Sequence, residues 1–249
     1  MDAIVEGNGA VLVLVPGLGC DERLWRPVGQ LLAPEWRVVY PRVWGAGRLR
    51  EAAARIVDVL DELGVPSAFV AGLSMGGYIT FELLRGWPER VAAAALVDTT
   101  AFGDTPERRA KRDQVLELIR RGAFDQVLRT FAASVLAPYH LGGPLEDLVI
   151  EMGKAVGPEA FARDVAAIRD RGSYEDVLER CDRPLLFLAG ADDALTPPEV
   201  AREMAARARK GQWAVVSRAG HLAPLENPDE TAKHLREFFS RCAPGGDSA

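Results

Sequence analysis

The chain has 249 residues, 48% of them hydrophobic and 27% charged, with a formal net charge of −6. That balance is ordinary for a folded globular protein and excludes a disordered chain, and a chain of this length suits a single large α/β domain. An acidic chain has no overall pull toward nucleic acid or anionic lipid, and its longest apolar run, Val91 to Val97, is far short of a bilayer span, so neither partner is expected.

The N-terminal MDAIVEGNGA has no basic region followed by a long apolar stretch, so it does not read as a secretory leader. Val11–Val15 is a continuous β-branched and leucine run ending at Pro16-Gly17, the pattern of a strand buried on both faces. Asp21 to Leu32 reads as a helix, Arg37–Tyr40 as a short strand, and Glu51 to Leu63 as a helix with Ile56, Val59, Leu60 and Leu63 on one face and Gly64 as its stop. Strand Ala68–Ala71, a helix from Met75 to about Arg85 and strand Val91–Val97 follow. This alternation predicts an α/β fold, a mostly parallel sheet with helices on both faces.

From Thr105 to Arg180 no strand is evident. Thr105-Pro106-Glu107 is a helix start, with a hydroxyl at the cap and Pro at the first helical position. Apolar stripes at Phe124–Leu136, Leu145–Val156 and Phe161–Ile168 predict further helices. Three or four helices inserted into an alternating chain suggest a helical lid at 105–180, set into a core formed by residues 1–104 and 181–249. The alternation resumes with strand Leu185–Ala189, a capped helix start at Thr196-Pro197-Pro198-Glu199 and strand Ala214–Val216. Asn227-Pro228-Asp229-Glu230 opens the last helix as a capping box, and the small polar tail CAPGGDSA is expected to fray.

Gly72-Leu73-Ser74-Met75-Gly76 is a G-x-S-x-G between an apolar strand and a helix, the setting that this motif requires. There a serine sits on a strained turn that side chains at the flanking glycines would obstruct, and the helix N-terminus points at it with partial positive charge. Such a serine needs a base oriented by a third group. His221 lies in a loop after the last strand, at the edge where ligands meet an open parallel sheet, whereas His234 reads as solvated helix face and His140 as part of a turn in the insertion. Asp192 and Asp193, following strand Leu185–Ala189, are both candidate acids, and either is also an ordinary turn residue. Cys20, Cys181 and Cys242 are odd in number and widely spaced; they suggest neither disulfides nor zinc, and a reducing, cytoplasmic location is expected.

Taken together, Pro16-Gly17-Leu18-Gly19, Gly72–Gly77, Gly190-Ala191-Asp192-Asp193-Ala194-Leu195-Thr196-Pro197 and Gly220–Glu226 resemble the α/β-hydrolase fold family, in its lid-bearing esterase and lactonase type, from about Val11 to Phe239. The chain order Ser, Asp, His is that of the family. The resemblance implies a catalytic triad of Ser74, Asp193 and His221, with Asp193 favoured over Asp192, and an oxyanion hole from the amides of Leu18 and Met75. It implies ester or lactone hydrolysis on a small-molecule substrate with no cofactor and no metal. Carbon–carbon bond hydrolases, cofactor-free haloperoxidases and lyases share the triad, and a ligand sensor on this fold is the rival outside catalysis. One departure stands out: family members usually carry an Asp and a G-x-G-x-S after the second strand, where this chain has Arg42 and Arg48. Two surface arginines are the simpler reading, and attraction of an anionic substrate group is the alternative. Trp25, Trp44, Tyr78 and Phe131 are expected to serve in packing.

Overall fold

The computed structural model describes residues 2–243. Strands β1 (Ala3–Glu6), β2 (Ala10–Val15), β3 (Trp36–Pro41), β4 (Ala68–Leu73), β5 (Val91–Val97), β6 (Leu185–Gly190) and β7 (Gly211–Val216) form one sheet, in the order β1-β3-β2-β4-β5-β6-β7. All neighbouring pairs are parallel except β1 with β3. Parallel neighbours need long crossovers, and helices α1 (Arg26–Leu32), α2 (Leu49–Glu62) and α3 (Met75–Gly86) supply them in the first half. Between β5 and β6 come five consecutive helices, α4 (Pro106–Arg120), α5 (Phe124–Val135), α6 (Pro144–Val156), α7 (Pro158–Arg169) and the short α8 (Glu175–Arg180). Then α9 (Pro198–Arg207) joins β6 to β7, and α10 (Ala223–Glu226) and α11 (Pro228–Cys242) close the chain.

Side chains along each strand alternate between two cores. Val13, Val15, Val70 and Phe187 face Ile56 and Leu60 of α2, Ile79 and Phe81 of α3, and Met204 of α9. Leu12, Leu14, Phe69, Leu186 and Leu188 face the other way, onto Val28 and Leu32 of α1 and Leu235 and Phe239 of α11. The expected mostly parallel sheet with helices on both faces is what forms. A third cluster, Val127, Leu128, Val156, Phe161 and Val165, belongs to the insertion and holds its helices to one another. The registers Val15↔Gly72, Leu73↔Val97, Val97↔Leu188 and Gly190↔Val216 bring the carboxyl ends of five strands nearly level, so the loops leaving them share one edge.

Local differences from the sequence reading have physical causes. Strand β1 was not foreseen: four residues with little alternation say nothing alone, and the strand is made by antiparallel pairing with β3, Ile4 opposite Tyr40. The helix expected from Asp21 is instead a 3-10 turn at Glu22–Leu24 followed by α1, whose Pro27 has no N–H to donate and sits in the first turn where none is needed. Thr105 caps α4 by accepting from Arg108 N–H, and Asn227 caps α11 by accepting from Glu230 N–H. The reciprocal half of the capping box is absent, since Glu230 accepts from Ser217 and from the Asn227 side-chain amide. The N-cap of α9 is Pro197, leaving the Thr196 hydroxyl free for another partner. The tail expected to fray lies, beyond Ala243, outside the described residues.

Candidate active site

Ser74 joins β4 to α3 with φ 54° and ψ −112°, a conformation that costs an L-residue energy and persists only where its surroundings impose it. Those surroundings are close backbone contacts. A Cβ on Gly72 would run into the Gly76 carbonyl oxygen, and one on Gly76 into the Val15 carbonyl oxygen. Ser74 N–H donates to Val97 O at 2.9 Å, and Thr99 Oγ1 donates to Ser74 O at 2.8 Å, so the neighbouring strand end holds the turn from both sides.

From the loop after β7, His221 reaches the serine: Nε2 lies 2.8 Å from Ser74 Oγ. Its Nδ1 lies 2.8 Å from Asp193 Oδ2, in the turn after β6. With Nδ1 donating to the carboxylate, Nε2 is left to accept the serine hydroxyl proton. Asp193 Oδ1 accepts from Leu195 N–H at 2.8 Å and Thr196 N–H at 3.0 Å, and Oδ2 accepts from the Thr196 hydroxyl at 2.7 Å. Thr196, read from sequence as a helix cap, thus braces the carboxylate instead. The neighbouring Asp192 turns outward and accepts from the Tyr139 hydroxyl at 2.8 Å.

The environment sets the charges. Burial disfavours the Asp193 anion, but the His221 charge, the His221 hydrogen bond and those from Thr196 outweigh it and hold the carboxyl below the usual range. Burial also opposes a charged imidazole, yet Asp193, then Asp98 and Glu226, raise the His221 pKa above its ordinary 6.5. Asp98, at the end of β5 with φ 46°, is raised by burial and by the nearby Asp193 charge.

The Leu18 loop follows β2 and lies against the serine turn, since a Cβ on Gly17 would sit 3.5 Å from Ser74 Cβ. Met75 opens α3, directly after the serine. Among the described residues neither the Leu18 nor the Met75 N–H has an acceptor within the protein, which leaves two donors beside the serine. Over this loop sit Phe131 of α5 and Phe161 of α7, edge to face with centroids 5.7 Å apart. A Cβ on Gly19 would meet Phe161 Cε2 at 2.6 Å and Phe131 Cε1 at 3.5 Å.

The other singled-out residues lie apart from this line. Trp25 is fully buried and donates from Nε1 to Val15 O at 2.9 Å, and Tyr78 packs under the Arg171 guanidinium at 4.1 Å. Trp44 carries the Arg42 guanidinium over its ring at 5.4 Å, while Arg48 is exposed with Glu51 at 3.9 Å. His234 faces Glu230 one helical turn away at 4.0 Å, and His140 Nε2 lies 3.9 Å from Glu226 Oε2. Thr99, Thr196, Asp98 and Glu226 were not foreseen as parts of the site. A polar residue just past the end of a buried strand was the available signal for Asp98 and Thr99; Glu226 gave none, because its partners are backbone groups. Among the described residues no group of three or more His, Cys, Asp or Glu is arranged to hold a metal ion, and no helix is long and apolar enough to cross a membrane.

Comparison with known proteins adds the context. A family model described as the alpha/beta hydrolase family matches residues 12–234. The chain is 27% identical over 249 residues to the pimeloyl-[acyl-carrier protein] methyl ester esterase of Photobacterium profundum, covering 94% of this chain and 96% of that one. It is also 27% identical over 251 residues to the dihydrolipoyllysine-residue acetyltransferase component of the acetoin cleaving system of Pseudomonas putida, but it spans only 64% of that protein's length. Among solved structures, a thermophilic esterase from Thermogutta terrifontis, described as malate bound, superposes with a TM-score of 0.91 at 27% identity, over 97% of this chain and 93% of that one.

Proposed function

The chain belongs to the alpha/beta hydrolase family, and on that premise we propose that it is a serine hydrolase of a small carboxylic ester or lactone, acting through an acyl-enzyme. One observation carries the reading: the unbroken hydrogen-bonded line from Ser74 Oγ through His221 to Asp193, 2.8 Å at each step, on a strained turn at a helix N-terminus. Two similar proteins named as esterases, each matched over more than nine tenths of this chain, support the ester bond as the target.

In this mechanism His221 Nε2 takes the hydroxyl proton as Ser74 Oγ attacks the carbonyl carbon. Asp193 keeps the imidazole in the tautomer that can accept and stabilises its charged form. Negative charge collects on the former carbonyl oxygen, where the Leu18 and Met75 N–H groups meet it; such a donor is worth about 3 kcal/mol in the transition state. His221 then protonates the departing alcohol oxygen. Water repeats the sequence on the acyl-enzyme and frees Ser74. For a lactone, alcohol and acid leave as one molecule after the second step. The helices at 105–180 act as the lid of a core formed by 1–104 and 181–249, and the Phe131–Phe161 pair over the Leu18 loop shapes the room for the acyl group.

The test is hydrolysis of p-nitrophenyl esters from acetate to dodecanoate by wild type beside Ser74→Ala. Release that depends on Ser74 and peaks at one chain length is the expected result. No release from any ester by folded wild-type protein overturns the ester reading and transfers the same line of residues to carbon–carbon cleavage or to ligand sensing.

A further inference from the structure

Four consecutive backbone N–H groups surround the candidate base, and none donates to its own loop's backbone. Gly220 N–H donates to Glu226 Oε1 at 2.9 Å, His221 N–H to Val135 O at 2.9 Å, Leu222 N–H to Glu226 Oε1 at 3.1 Å, and Ala223 N–H to Asp98 Oδ2 at 3.1 Å. The other oxygen of each carboxylate reaches a different element. Glu226 Oε2 accepts from Ala137 N–H of the insertion at 2.8 Å, and Asp98 Oδ1 accepts from Gly190 N–H, at the head of the Asp193 turn, at 2.8 Å. The Glu226 side chain is completely buried. A buried carboxylate is costly unless its lone pairs are filled, and here three backbone donors fill them.

We propose that Glu226 is a positioning residue for His221, and that through it the 135–137 segment of the helical insertion is coupled to the base. This rests on the reading of His221 as the general base. Glu226 grips the peptide groups on both sides of His221, so the imidazole's place is set from outside its loop. Catalytic groups need placement to within about half an ångström. Insertion and base meet again where His221 N–H bonds Val135 O, and a Cβ on Gly220 would approach Ala137 N to 2.6 Å. Any motion of the end of α5 is therefore felt at Ser74 through His221.

Glu226→Gln has the same shape but only one accepting atom, so it can serve Gly220 and Leu222 or Ala137, not both. With p-nitrophenyl acetate we expect kcat to fall on the order of 10- to 100-fold with KM within about twofold, the cost of a displaced catalytic group in an intact pocket. The charged and titratable groups facing this loop are Asp193, Asp98, Glu226 itself and His140. Removing one negative charge among them lowers the His221 pKa, so the acid limb of the kcat/KM profile moves to lower pH. Unchanged kcat per folded molecule and an unmoved limb overturn the proposal. Should Glu226→Gln not fold, Ala137→Pro removes the insertion's donor and sets a ring carbon against Glu226 Oε2 in its place, on a backbone that suits proline: Ala137 already has φ −62°, and Leu136 before it is extended. It is expected to lower kcat in the same way. If wild type hydrolyses no ester, the esterase reading fails, and proton NMR of the His221 ring decides this proposal alone. A lower titration midpoint and a faster-exchanging Nδ1 proton in Glu226→Gln support it, and an unchanged spectrum overturns it.

Discussion

The carboxyl edge of the sheet and the helical insertion are built by different physics. At the sheet edge, strands β4 and β6 are buried along their whole length, backbones approach until a single Cβ would collide, and Ser74 and Asp98 take left-handed conformations that their neighbours enforce. In the insertion, α4 has no buried residue at all, and the other helices pack through a small apolar cluster of their own and through Ala132, Val135, Val149 and Met152 against one core of the sheet, with ion pairs such as Arg169–Asp113 on the outside. The first region fixes positions by close backbone contact, and the second, apart from the 135–137 segment that meets the His221 loop, sets a shape. On the function proposed above, reaction type belongs to the edge and substrate size to the insertion.

The comparison is broken most directly at the edge. Ser74→Ala and His221→Ala should each lower ester turnover on the order of 10⁶-fold, and the double variant should lose no more, because the side chains act as one unit. Asp193→Asn should cost about 10⁴-fold by presenting the wrong tautomer, whereas Asp192→Asn, whose side chain accepts from Tyr139 and leaves the His221 line untouched, should stay within about twofold of wild type. Equal losses in the two aspartate variants, read as kcat/KM on one ester, would put the acid in the wrong place.

Next in size is the backbone itself. Gly76→Ala drives a Cβ into the Val15 carbonyl, so the helix must retreat from β2 and carry the serine and the Met75 N–H with it. A kcat loss on the order of 100-fold with a clear fall in melting temperature is expected. Gly64→Ala is the control: φ is +67° but nothing lies within 4 Å, so stability falls while kcat per folded molecule does not.

These effects bear on what could be read from the chain beforehand. The strand–helix alternation, the G-x-S-x-G turn and the loops bearing Asp193 and His221 were legible, because burial on both faces and close backbone approach leave patterns of residue type. Strand β1 was not, since its pairing partner β3 lies more than thirty residues away in sequence. Thr196 read as a cap because threonine before proline starts helices, and only the folded turn shows its hydroxyl spent on Asp193. Asp98 and Glu226 escaped for a deeper reason: a carboxylate that binds peptide N–H groups from distant segments leaves no pattern in its partners' side chains.

A smaller effect is carried by pH. Activity needs neutral His221, and its pKa lies above 6.5, so kcat/KM should rise with pH through a midpoint above that value. In stability the signs are opposed. The raised His221 contributes fully below 6.5 and fades as pH rises through its folded pKa, and the depressed Asp193 contributes above 3.8 and fades as pH falls through its folded pKa. The difference between wild type and Asp193→Asn in urea unfolding should therefore peak between those two values and shrink on either side. A difference independent of pH would mean that the pair is uncharged in the fold.

The smallest effect is the one that tests the insertion's share. Phe131 is only partly buried, sits edge to face on Phe161 and lies beside Gly19 in the Leu18 loop. Phe131→Ala removes a ring at that wall without touching Ser74, Asp193 or His221. If the wall bounds the acyl group, the freed volume admits longer chains: the ratio of kcat/KM for octanoate over acetate should rise about tenfold, the discrimination that a methylene or two carries in an apolar pocket. The pH midpoint should not move, because no charge near His221 has changed. A shifted midpoint with unchanged chain preference would leave the insertion only its hold on the base through residues 135–137 and give substrate size to the loops of the sheet edge.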